Sequence, residues 1–168
     1  MVFQHFMGAI GVWTLTFFLI SPVHASSPPV ATAAGESVQL AVYKSPTCGC
    51  CEVWISHLQS HGLKSNIQHP DDLNAVKDRF RISPQYQSCH TAVSPEGYVF
   101  EGHVPAPLIT RFLAEKPEGA IGLAVPGMPV GSPGMEMGQR FTPYDVLLLK
   151  SDGSSEVYFR ITSLTQTF

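Results

Sequence analysis

Three thiols fall within four residues in the stretch Ser45-Pro46-Thr47-Cys48-Gly49-Cys50-Cys51. An alternating apolar run, Val38 to Tyr43, precedes it, and a helical pattern, Glu52 to His61, follows. The cluster therefore sits at a strand-to-helix junction. Backbone N–H groups are unpaired there and the partial charge is positive, so thiolates are stabilised and thiol pKa values fall. Sulfur in that state is both a nucleophile and a ligand for soft metals.

The elements after the junction limit the fold further. Val53, Trp54, Leu58 and Leu63 form an apolar stripe at helical spacing, and Gly62 is a natural left-handed cap. Ser65 to Gln68 reads as a second strand. Asp71-Asp72 cap a second helix running to Phe80, with Leu73, Val76 and Phe80 inward. Cys89 to Val93, the turn Ser94-Pro95-Glu96-Gly97 and Tyr98 to Phe100 read as a hairpin, and Pro105 to Glu115 as a third helix. A long Gly/Pro/Met loop is expected over Ile121 to Gly138, then a terminal hairpin of Tyr144–Leu149 and Glu156–Ile161. Strand, helix, strand, helix, hairpin, helix, with Cys-x-x-Cys after the first strand, is a thioredoxin-like order. The expected class is α/β: a mixed sheet with flanking helices.

At 168 residues the chain is long enough for one domain with its own core, and no second domain or internal repeat is visible. A net charge of −3 gives nucleic acid no electrostatic footing. Residues 1–25 read as an export signal. The apolar run Met7 to Ile20 ends at Ser21-Pro22, and Val23-His24-Ala25 offers small residues for cleavage near Ala25. No Lys or Arg precedes that run, which departs from the usual signal, but the run is too short for a permanent membrane anchor. Residues 26–37 read as a flexible leader and 38–168 as the folded domain. Export places the four cysteines in an oxidising compartment, where thiols are paired, metallated or cyclically reduced.

Two chemistries remain open for the sulfur cluster. Cys48 and Cys51 have the spacing of a redox dithiol, with Cys48 as nucleophile and Cys51 as resolving thiol. Cys50 between them invites scrambling, because any of the three thiols can attack a mixed disulfide. Thiolate sulfur also bridges soft ions, and thiolate with thioether selects Cu(I). Stabilising disulfides are the bland alternative. Cys89 and His90 lie where a thioredoxin-like fold faces its dithiol, so a fourth sulfur and an imidazole are expected opposite the first three. Burial as an inert thiol and a solvent-facing strand position are the competing readings. Met128, Met135 and Met137 all fall in the Gly/Pro loop, whereas gap-filling methionines would scatter among core elements. They are read as ligands or as a metal-entry gate. His57 and His61, one helical turn apart, are read as surface polar residues.

Thr47-Cys48-Gly49-Cys50-Cys51, Ser88-Cys89-His90-Thr91, Gly102-His103-Val104-Pro105, Gly122 to Pro129 and Ser132 to Glu136 together resemble the CopG-type bacterial copper-resistance proteins. These are exported and thioredoxin-like, and were long carried as a family of unknown function. The resemblance covers about Val38 to Val157. It implies that Cys48, Cys50, Cys51 and Cys89 gather a cysteine-bridged multinuclear copper centre, holding Cu(I) or Cu(II), with His90 and the three methionines as secondary ligands. It also implies a periplasmic role in copper tolerance, with redox interconversion of copper, beside a copper-efflux or other periplasmic copper-handling partner. His103 matches a family segment, but its spacing does not say whether it binds metal. A thiol–disulfide oxidoreductase and a non-catalytic copper metallochaperone are the alternative functions.

Overall fold

In β1 (Gln39–Lys44) alternate residues turn inward, so Leu40, Val42 and Lys44 are buried on one face. This computed structural model describes residues 37–166, and the description concerns the unit spanning 35–168. The expected export segment, and all but the last residue of the expected leader, lie outside the described residues. Among the described residues no helix is long and apolar enough to cross a membrane.

After β1 the chain runs through α1 (Gly49–Ser60), β2 (Lys64–Gln68), α2 (Leu73–Arg79), β3 (His90–Val93), β4 (Val99–Glu101) and α3 (Ala106–Glu115). Then come β5 (Ala120–Ala124), β6 (Tyr144–Lys150) and β7 (Ser155–Ile161). The fold is mixed α/β, with one seven-stranded sheet in the order β2-β1-β3-β4-β5-β6-β7. β1 is parallel to β2, with α1 as the crossover. β3 is antiparallel to both β1 and β4, as the thioredoxin-like order requires.

Three expectations are corrected. β5 occupies the start of the stretch read as loop from Ile121, and pairs parallel with β4. Gly122 masks it: a Cβ there would stand 1.8 Å from the Val99 carbonyl oxygen, so this close approach requires glycine inside a strand. The irregular segment therefore begins after Ala124. Val53 is half exposed and does not join the inward stripe of α1, which consists of Cys51, Trp54, Ile55, His57 and Leu58. His57 is buried, not a surface residue. Its Nε2 accepts the Ala106 N–H at 3.0 Å, satisfying a donor at the start of α3 that Pro105 has no side chain to cap.

The main core lies between the sheet and helices α1 and α3, around Trp54, Leu58, Phe100, Ile109, Phe112 and Leu123. A smaller cluster, with Ile82, Val93, Val99, Ala124 and Leu149, forms a second core. On α2, Leu73, Val76 and Phe80 are only half-buried, and the buried residue is Lys77. Asp72 caps the helix as expected, accepting from the Asn74 and Ala75 N–H groups.

The His57 contact gives the fold a pH dependence. Burial, assisted by neighbouring His61, holds its pKa at about 4 against an ordinary 6.5. Between those values the unfolded chain takes up a proton that the folded chain refuses, so stability falls on acidification. The expected loss from neutral pH to pH ~4 is about 2 kcal/mol, allowing for partial solvent contact. Urea midpoints across that range measure it. His57→Gln is expected to flatten the slope, and an unchanged slope would contradict the assignment.

Candidate metal centre

Cys48 is the N-cap of α1, and Cys50 and Cys51 lie within its first turn, so the helix starts three residues earlier than its apolar pattern indicates. Cys48 and Cys51 are joined by a disulfide, with Cα atoms 5.4 Å apart. Cys50 and Cys89 are free thiols. Cys89 immediately precedes β3, and its Sγ lies 3.6 Å from Cys51 Sγ and 4.0 Å from Cys50 Sγ. Cys50 Sγ is 3.5 Å from Cys48 Sγ. The four sulfurs lie within 4.8 Å of one another.

A second group shares Cys89. His103 Nε2 is 3.1 Å from Cys89 Sγ and His90 Nδ1 is 3.3 Å from it. The Pro133 carbonyl fixes the tautomer of His103: it only accepts, so Nδ1 carries the hydrogen across 2.7 Å and Nε2 presents a lone pair to the sulfur. His90 is fully buried, its ring 4.2 Å from that of Trp54 and 5.0 Å from that of His103. Its Nε2 is buried and has no hydrogen-bond partner among the described residues.

The spacing of His103 alone does not mark it as a ligand. Its signal lies in the hairpin. β3 and β4 pair Thr91 with Glu101, and two residues farther along the same register 89 stands opposite 103.

Burial sets the charge state of the group. It holds His90 well below the ordinary imidazole range, with His103, Lys77 and Lys44 adding to the effect. It also lowers His103, against the opposing pull of the Pro133 carbonyl and Glu136. Both rings are therefore neutral near pH 7, the form that donates to metals. Burial and the neighbouring Cys50 push the Cys89 thiol up to about 12. Cys89 does not share in the thiolate stabilisation expected of the helix terminus, and metal binding to it would displace a proton.

Two features hold the sulfurs in place. Beneath Cys89, the Ser88 N–H donates to Glu101 at 2.7 Å, and Lys77 and Thr91 also bond the Glu101 carboxylate. Above α1, the 125–143 segment packs so tightly that a Cβ on Gly134 would stand 2.6 Å from the Cys50 carbonyl oxygen and 3.0 Å from Trp54 N. Gly134 adopts φ +86°, so both conformation and space call for glycine. The same segment bonds Ser88 Oγ through the Gly127 carbonyl. Met128 and Met135 thus follow residues anchored beside Cys89 and Cys50 respectively. Met128 and Met137 are about half exposed and Met135 is half-buried. At the other edge Lys44, wholly buried, meets Glu52 Oε1 at 2.6 Å without hydrogen-bond alignment.

The donor set passes a chemical fit test for a soft cation. It offers up to four sulfurs at bridging separations and two neutral imidazoles, with no carboxylate among the clustered donor atoms.

A family described as "Protein of unknown function, DUF411" matches residues 86–135, which include Cys89, His90, His103 and the loop through Met135. Two solved structures, named "Copper resistance protein copG", Form 1 and Form 2, are 41% and 40% identical to this chain. Each match covers 76% of this chain and 100% of the other, with a TM-score of 0.71. The chain belongs to the CopG family. No curated protein matches it. For a CopG-family chain, the profile match spans the distal half of the centre, and the Cys48–Cys51 half lies outside it.

Proposed function

We propose that this protein is an exported, periplasmic copper-binding protein acting in copper resistance. Residues 1–25 are its cleaved signal, 26–37 its leader and 38–168 its metal-binding domain. Cys48, Cys50, Cys51 and Cys89 hold more than one copper ion through bridging sulfur, with His90 and His103 as nitrogen donors and Met128, Met135 and Met137 in secondary contact or along the entry route. The observation that carries this reading is the convergence on Cys89: the Cys50 and Cys51 sulfurs in the first turn of α1 and both imidazoles approach one sulfur. The copper-resistance name of the two similar structures supports the choice of metal. Mixed sulfur and imidazole donors tolerate both Cu(I) and Cu(II), so the site interconverts the two. A copper-efflux or periplasmic copper-handling protein is its partner.

The Cys48–Cys51 disulfide favours a second reading, a thiol–disulfide oxidoreductase. Anaerobic Cu(I) titration of the fully reduced protein, followed by gel filtration and metal analysis, separates the two. More than one copper retained per chain is expected. Retention of less than one, with disulfide exchange intact, would favour the oxidoreductase.

A further inference from the structure

The four cysteines are not equivalent. Cys48 and Cys51 are joined across the first turn of α1, with Cα atoms 5.4 Å apart, well inside the span a disulfide requires. Adjacent Cys50 and Cys51 lack that geometry. Closing the 48–51 bond leaves a compact residual donor set: Cys50 and Cys89 with sulfurs 4.0 Å apart, and the His103 and His90 nitrogens 3.1 and 3.3 Å from Cys89. The centre therefore contains two nested sites. One has four thiols. The other has two thiols and two imidazoles, and remains assembled when the dithiol is spent.

We infer that the Cys48/Cys51 dithiol is a built-in two-electron donor to the protein's own cargo, reducing two Cu(II) ions to Cu(I) as its disulfide forms. The inference rests on the copper reading above. In the balanced step each Cu(II) accepts one electron, the Cys48 and Cys51 S–H bonds break, one S–S bond forms and two protons pass to solvent. Cys50, Cys89, His90 and His103 keep their oxidation state and hold the Cu(I) product, which suits thiolate and imidazole donors. A dithiol reductant resets the pair by thiol–disulfide exchange, restoring two S–H groups and becoming a disulfide itself. Cys48, half-buried at the end of the helix, is the sulfur open to that reductant, whereas Cys51 is wholly buried behind it.

The test takes fully reduced protein under anaerobic conditions and adds two equivalents of Cu(II) as a weak glycine complex. Cu(I) is counted with a chromogenic Cu(I) chelator under denaturing quench, free thiols are alkylated, and disulfides are mapped by peptide mass. The expected result is two Cu(I) per chain and one pairing, Cys48–Cys51, with Cys50 and Cys89 alkylated. In Cys48→Ser and in Cys51→Ser the fast two-electron yield is expected to disappear; Cu(I) supplied directly is retained at lower stoichiometry by Cys50, Cys89, His90 and His103, and a wild-type urea unfolding transition shows that the variants fold. Cys50→Ser/Cys89→Ser is expected to form the disulfide but release its Cu(I) to a competing chelator without denaturation. Copper left as Cu(II), a Cys50–Cys89 disulfide or a mixture of pairings would each overturn the inference. If wild-type protein retains Cu(I) yet gives one of those results, only the electron-donor role fails. If directly supplied Cu(I) is not retained at all, the underlying copper reading fails with it.

Discussion

Lys77→Met is expected to destabilise the fold by about 3–5 kcal/mol, because removing one partner of a buried ion pair strands the other charge. Glu101 is fully buried, and its Oε1 lies 2.5 Å from Lys77 Nζ. The remaining bonds to the carboxylate come from Thr91 Oγ1 at 2.6 Å and Ser88 N at 2.7 Å. Burial already raises the Glu101 pKa against the opposing pull of Lys77. Without the ammonium, the carboxylate must take up a proton or leave its site, and either outcome loosens the backbone that enters Cys89. Urea denaturation at neutral pH measures the loss. The double variant Lys77→Met/Glu101→Gln removes both charges and leaves an amide oxygen to accept the Ser88 N–H, so it is expected to regain most of the stability. A single variant within ~1 kcal/mol of wild type would show that the pair has no such role.

Cys89→Ser is expected to have the largest effect on metal binding. Cys89 is the one residue common to the four-sulfur group and the sulfur–imidazole group. A serine hydroxyl is a hard donor that does not deprotonate near neutrality, so it offers Cu(I) nothing. Loss of even an outer-shell partner of a metal ligand costs roughly 10–100-fold in affinity, so removing the shared ligand is expected to exceed ~100-fold and to lower stoichiometry. His103→Gln keeps the ring's approximate volume but removes the imidazole lone pair, and is expected to fall within the smaller range. Competition with a Cu(I) chelator of known affinity measures both. Equal affinity of Cys89→Ser and wild type would mean that copper does not use the shared sulfur.

Much of the scaffold was legible in the sequence because it is carried by local periodicity. β1, the α1 stripe around Trp54 and Leu58, the β3–β4 hairpin and the terminal hairpin each announce themselves within a few residues. What was hidden depends on contacts distant in sequence. Gly122 makes β5 look like loop, and only the approach of Val99 explains it. Lys77 and His57 look like solvent-facing polar residues until Glu101 and the start of α3 are placed against them.

The candidate site divides in the same way. The four cysteines are conspicuous by type, and the thioredoxin-like order was enough to place Cys89 opposite the helix terminus. The selection of His103 required the exact register of the hairpin, because nothing in Gly102-His103-Val104-Pro105 distinguishes a ligand from a buried polar residue. The Cys48–Cys51 pairing was one of several that spacing left open. The loop methionines belong to a segment whose path is set by Gly134 over Cys50 and Gly127 over Ser88, contacts that no periodicity encodes.

Anomalous diffraction at the copper edge, from crystals of protein reduced and loaded anaerobically with Cu(I), tests the central claim most directly. Copper peaks are predicted between Cys89 and the Cys48, Cys50 and Cys51 sulfurs, with at least one ion bonded both to Cys89 and to a cysteine of α1. Copper bound at the start of α1 with Cys89 uncoordinated, or copper found only at surface histidines and methionines, would contradict a shared centre.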